Sequence, residues 1–138
     1  MKLTLILLIL IAGALVELPA MEGKTLGHLI SIPVIEGTGI YTSVQMIRAG
    51  QTNSTAAGVT NLALVGMNAG MGAYTLFGKP DDFGTFRMVH RIAGMLTSAA
   101  AVWLTVSAWQ NPDMKQVDRA VSTGYSVLTV VPVIMFSF

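Results

Sequence analysis

The 138 residues carry 8 basic and 7 acidic side chains for a net charge of +1; 53% are hydrophobic and only 11% charged. A soluble domain carries about 25% charged residues, so this chain has too few to cover a water-facing surface, and its balanced charge offers nucleic acid no basic patch. Cysteine is absent, which excludes disulfides, thiolate zinc sites, iron–sulfur clusters and covalent c-type haem attachment.

Apolar runs recur along the whole length and predict an all-α integral membrane protein, each run being set against the roughly 20 residues that cross a bilayer. The first run covers 3–19. Lys2, the apolar stretch Leu3 to Val16 and the small residues near Ala20 also have the form of a signal peptide. The expectation is a retained helix at the rim of the bundle, because the run is short and Glu17 lies near its end.

The second run covers 26–47 and contains His28, Pro33, Glu36, Gly37 and Gly39. Pro33 should kink it and free a carbonyl. A carboxylate at the depth of Glu36 needs a partner or a proton; it would relay protons, hold a quinone head group, or bond to a neighbour such as Asn61 or Asn68. Gly50 to Ser54 is a polar break before the third run, 55–77. There, Asn61 and Asn68 share one face and read as interhelical glue, and Gly66-Met-Asn-Ala-Gly70 is a GxxxG that lets a neighbour approach.

Gly78-Lys79-Pro80-Asp81-Asp82 stops the third run. The fourth, 86–109, opens with Arg87, His90 and Arg91. Asn111-Pro112-Asp113 is the last break, and the fifth run covers 117–138. Connections this short make neighbouring helices antiparallel. The expected fold is therefore a four-helix transmembrane bundle plus an N-terminal transmembrane helix, a single domain over 1–138. Lys2, Arg48, Lys115 and Arg119 fall on one side and Lys24, Lys79, Arg87 and Arg91 on the other, so the positive-inside rule gives no orientation. The expected location is a prokaryotic plasma (inner) membrane.

His28 and His90 are the only histidines. Two crossings separate the starts of their runs, so both are expected at a similar shallow depth on one side of the membrane. At helical spacing, His90 shares its face with Ala93, Gly94, Thr97, Ser98, Ala101 and Thr105, all small. The face of His28 carries Ser31, Ile32, Ile35, Gly39, Thr42 and Met46. Histidines above slim faces suit a flat macrocycle held between two imidazoles, and haem iron accepts histidine as an axial ligand. Haem b is the cofactor expected on this reasoning, with His28 and His90 as metal ligands, Gly39 and Gly94 leaving room, and Arg87 and Arg91 reaching its propionates. A quinone is the second possible cofactor. Three other readings stay open: quinone or proton chemistry without haem, a chlorophyll-type pigment on one or both histidines, and structural histidines in an accessory subunit.

The string His90-Arg91-Ile92-Ala93-Gly94 resembles the His-Arg-x-x-Gly opening of helices in membrane cytochrome b subunits, such as the succinate dehydrogenase anchor and b561-like proteins. The resemblance covers these five residues. It implies a quinone-site or propionate role for Arg91 and leaves His90 either a haem ligand or a quinone-site residue. The five runs, with the motif on the fourth, depart from that family.

The expected function is a small b-type cytochrome subunit that transfers electrons within a larger respiratory or photosynthetic complex. Its partners would be other membrane subunits, lipid and a quinone, with no nucleic acid. No run leaves room for a substrate-oxidising domain, so it is not expected to be an enzyme alone. The alternatives are a non-redox accessory subunit that stabilises a membrane complex and a pigment-binding subunit.

Overall fold

The computed structural model describes the backbone of residues 23–77 and 83–137, and the side chains of 33–74 and 84–131. The run expected at 3–19, the turn at 78–82 and the side chain of His28 lie outside the described residues. The fold is all-α. Four helices follow in order: α1 (Gly23–Arg48), α2 (Thr52–Phe77), α3 (Phe83–Gln110) and α4 (Gln116–Ser137). They coincide with the second to fifth apolar runs but begin up to three residues earlier. The apolar pattern stops where polar residues begin, whereas the backbone ladder continues through Gly23, Thr52 and Phe83 to the helix starts.

The chain divides into two compact units, Met1–Val34 and Ile35–Phe138. The first holds the opening turns of α1. The second holds the rest of α1 and all of α2, α3 and α4. Pro33 does not break α1, which runs on as one helix to Arg48.

The breaks are built as their residues dictate. Gly50 closes α1 with φ of 74°, the left-handed backbone that glycine adopts without a Cβ penalty. Its N–H reaches Ile47 O at 3.2 Å, and Ala49 N reaches Gln45 O at 3.0 Å. After α3, Asn111 Oδ1 accepts from Asp113 N at 2.9 Å, an Asx turn of the kind Asn-Pro-Asp favours. Arg119 donates to Asn111 O at 2.7 Å, a carbonyl just past the end of α3 that also accepts from Met114 N at 3.3 Å. Asp118 sits in the first turn of α4, where its charge complements the helix dipole.

α3 packs against both α2 and α4. What fills the interior is unusual for a water-soluble bundle. Thr42, Ser43, Ser54, Asn61, Thr97, Ser98, Ser107, Asn111, Ser122 and Thr129 are buried, alongside Ala57, Ala93, Ala100, Ala101 and Ala108. Val59, Met67, Met88, Ile92, Met95, Leu96, Val102, Val106, Val127 and Val131 are exposed. Small polar groups thus share the interior with Met46, Val65, Leu104, Met114 and Tyr125, while many large apolar groups face outward; small residues and interhelical hydrogen bonds are what hold helices together in lipid.

Taken helix by helix, the composition is narrower. Among the described residues, one helix, Gly84–Gln110 at 27 residues, is by itself long and apolar enough to cross a membrane. It is about 40 Å long. The other described helices are diluted by Gly, Ser, Thr and Asn, which serve the interior contacts instead.

Two glycines set how closely the helices approach. A Cβ on Gly58 of α2 would lie 2.7 Å from Ser43 O of α1, so the two backbones nearly touch there. A Cβ on Gly39 of α1 would lie 2.7 Å from the ring and hydroxyl of Tyr125 on α4. Gly66 and Gly70, expected to admit a neighbour, meet nothing within 4 Å. The close approach falls at Gly58 instead, one turn before Asn61 and on the same side of α2.

Candidate functional site

The sequence-identified residues of α3 lie at its first turns. His90 is half-buried, and Arg87 and Arg91 are exposed on either side of it. His90 belongs to the inner stripe of α3 that continues through Ala93, Thr97, Ala101 and Leu104, at the 3–4 residue spacing of one helix face. Its Nδ1 atom is buried. One turn before it, Phe86 meets Tyr74 of α2, ring centroids 5.2 Å apart. One turn after it, Gly94 is half-buried, and a Cβ there would meet nothing within 4 Å.

Beyond that level the small-residue face is not a slot. Thr97 donates to Ala93 O at 2.8 Å. Ser98 reaches Gly94 O and, across to α4, Thr129 O, both at 3.0 Å. Ala101 packs with Val65 of α2 and Tyr125 of α4. Thr105 donates to Ser122 O at 2.7 Å and pairs with the Ser126 hydroxyl at 2.9 Å. The small side chains of α3 serve close helix packing over most of the face; Ala93 is buried as well, and Gly94 beside it is the position on this face where an added Cβ would meet nothing within 4 Å.

Gly39 is likewise occupied. The room its missing side chain leaves is taken by Tyr125. Around that contact lies a buried polar knot. Ser43 donates to Gly39 O at 2.7 Å. Asn61 Nδ2 donates to Ser43 Oγ at 2.9 Å and lies 3.4 Å from Gly39 O. Tyr125 donates to Asn61 Oδ1 at 3.2 Å. Three helices, α1, α2 and α4, are thereby joined through one asparagine. Glu36 is half-buried one turn before Gly39, and the Asn61 amide is engaged by Ser43, Gly39 and Tyr125 rather than by that carboxylate.

A second polar cluster lies at the opposite end of the bundle. Asn111 donates to Ser54 at 2.8 Å and Asn53 to Ser107 at 3.1 Å, locking α2 to the end of α3. Tyr41 donates to Asp118 at 2.7 Å. The Arg119 guanidinium lies over Trp109, 5.8 Å from the ring centroid, and the Trp109 indole donates to Thr123 at 3.0 Å. Half-exposed aromatic side chains with a polar tip and a cation beside them are what a membrane–water boundary selects.

Tyr125 is a residue that the sequence analysis did not single out. It stands on a polar stripe of α4 with Asp118, Ser122, Ser126 and Thr129, all buried. That 3–4 residue spacing of hydroxyls was the available signal, an inward polar face rather than an apolar one.

No family model, no curated protein and no solved structure matches the chain.

Proposed function

We propose that this chain is an integral membrane subunit of a larger respiratory or photosynthetic complex, a b-type cytochrome whose haem would be held by His90; His28, the second ligand expected from the sequence, lies outside the described side chains. The membrane part of this reading is supported by the many buried Ser, Thr and Asn side chains together with the many exposed Val, Ile, Leu and Met side chains. On this reading α1 to α4 all cross the bilayer, the less apolar ones shielded by their neighbours, with the run at 3–19 as a fifth crossing.

The observation that carries the haem part is the clearance at Gly94 beside the half-buried His90. The residues there fit a haem: an imidazole, a glycine with open space, and Arg87 and Arg91 exposed where anionic propionates would need them. The closure from Thr97 inward restricts any macrocycle to this shallow level. A haem held there would supply one-electron transfer. Being shallow, it needs a second carrier to complete passage across the membrane, a quinone or a haem in a partner subunit.

The closed interior favours a second reading, that of a non-redox accessory subunit whose hydrogen-bonded core is its whole purpose. Pigment analysis of the purified protein separates them. Extraction into alkaline pyridine should give a protohaem spectrum with close to one haem per chain. A magnesium macrocycle would point to pigment binding, and no macrocycle at all would leave the accessory reading.

A further inference from the structure

Asn68 Oδ1 is buried and has no hydrogen-bond partner among the described residues. A buried amide oxygen left without a donor is costly, more so in lipid than at a wet surface, and its sister residue Asn61 is bonded throughout. Asn68 lies on the inner stripe of α2, spaced with Ser54, Ala57, Asn61 and Val65, which all face the interior. The antiparallel register of α2 and α3 fixes its level. Asn53 meets Ser107 at one end and Tyr74 meets Phe86 at the other. Carried along that register, Asn68 falls opposite Ile92, within one turn of His90.

Few groups on α3 can serve Asn68 at this level. Thr97 spends its hydroxyl on Ala93 O, and Ser98 spends its own on Gly94 O and Thr129 O. Arg91 is exposed. His90 shares the inner stripe, its ring half-buried and its Nδ1 buried. Next to Asn68 on α2, Gly72 is buried, yet a Cβ there would meet nothing within 4 Å, so the ring has room to turn.

We propose that Asn68 is the positioning residue for His90: when Nε2 of His90 serves as the axial ligand, its Nδ1–H donates to Asn68 Oδ1. The inference rests on the haem reading above. Histidines that bind metal generally give their other ring N–H to a carbonyl or carboxylate, which fixes the ring orientation and raises its basicity. An amide oxygen does this without adding a charge to the membrane interior. It also gives a role to an amide oxygen that has no hydrogen-bond partner among the described residues.

The test is a redox titration of the b-type band in the purified full-length protein and in Asn68→Leu, Asn68→Gln and Asn68→Asp. A stronger acceptor makes the imidazole a better donor to the oxidised iron, so Asn68→Asp should lower the midpoint potential. Asn68→Leu removes the acceptor and should raise it, and Asn68→Gln should stay nearer the native value than either. Potentials unmoved in both Leu and Asp variants that keep the band would overturn the positioning role while leaving the haem reading intact. Absence of a b-type band in the native protein would overturn both. If Asn68→Leu does not accumulate, the downward shift in Asn68→Asp decides alone.

Discussion

Tyr125 and Asn61 stand 64 residues apart in sequence, yet the phenolic hydroxyl donates to the amide oxygen at 3.2 Å in a fully buried setting. Through Asn61 the bond passes on to Ser43 and Gly39, so one asparagine ties α4 to α1. Tyr125→Phe keeps the ring against Gly39 and removes only the hydroxyl. It should lower stability by about 1 kcal/mol. Asn61→Ala strands both Tyr125 and part of Ser43 and should cost more. Equilibrium unfolding in detergent with increasing SDS measures both, and a silent Asn61→Ala would mean the knot contributes nothing.

The glycines divide into two groups with opposite expected behaviour. At Gly58 an added Cβ meets the Ser43 carbonyl at 2.7 Å, backbone that cannot swing away. Gly58→Val should therefore destabilise by about 1–3 kcal/mol. Gly66 and Gly70 meet nothing within 4 Å, so Gly66→Ala and Gly70→Ala should be neutral or mildly stabilising through helix propensity. Thermal melts of the purified protein rank the three variants.

Membrane embedding predicts a depth-dependent penalty on the outer face of α3. Leu96 is exposed near the middle of the Gly84–Gln110 helix. An arginine there should cost about 2.5–3.5 kcal/mol of insertion free energy, seen as loss of protein from the carbonate-resistant membrane fraction. The same Leu96→Arg change on a water-facing surface would be harmless and would raise solubility. Val117→Arg, at the exposed start of α4, should be tolerated as the control.

At the other end, Arg119 caps Asn111 O and covers Trp109. Arg119→Ala should lower stability by about 1 kcal/mol and shift Trp109 emission as the cation leaves the ring. Trp103 is also present, so the measurement is made in a Trp103→Phe background. Unchanged emission would show the stacking to be incidental.

Much of the architecture was legible in the residues. Apolar runs located the four described helices, and Gly50 and Asn111-Pro112-Asp113 marked breaks whose turn geometry followed from those residue types. The pairing of Asn61 across helices was legible as well, because an amide in an apolar run must find a partner. The meaning of the small residues was not. Ala, Gly, Ser and Thr along one face are equally what a cofactor slot and a close helix contact require. Only tertiary contacts distinguish the two. Gly39 and Thr97 to Thr105 proved to be contacts, whereas Gly94 stayed open. Gly66 and Gly70 carry the familiar close-packing spacing, but Gly58 makes the contact, because register rather than motif decides which glycine meets a neighbour.

The proposed function turns on His90 as a haem ligand near the start of α3. Its most direct test is the dithionite-reduced minus oxidised absorption spectrum of the purified protein beside His90→Ala and His28→Ala. A sharp b-type α-band is expected in the native protein and its loss in each variant, with the far-UV helical signal retained. A band of full height in His90→Ala, or no band in the native protein, would contradict it.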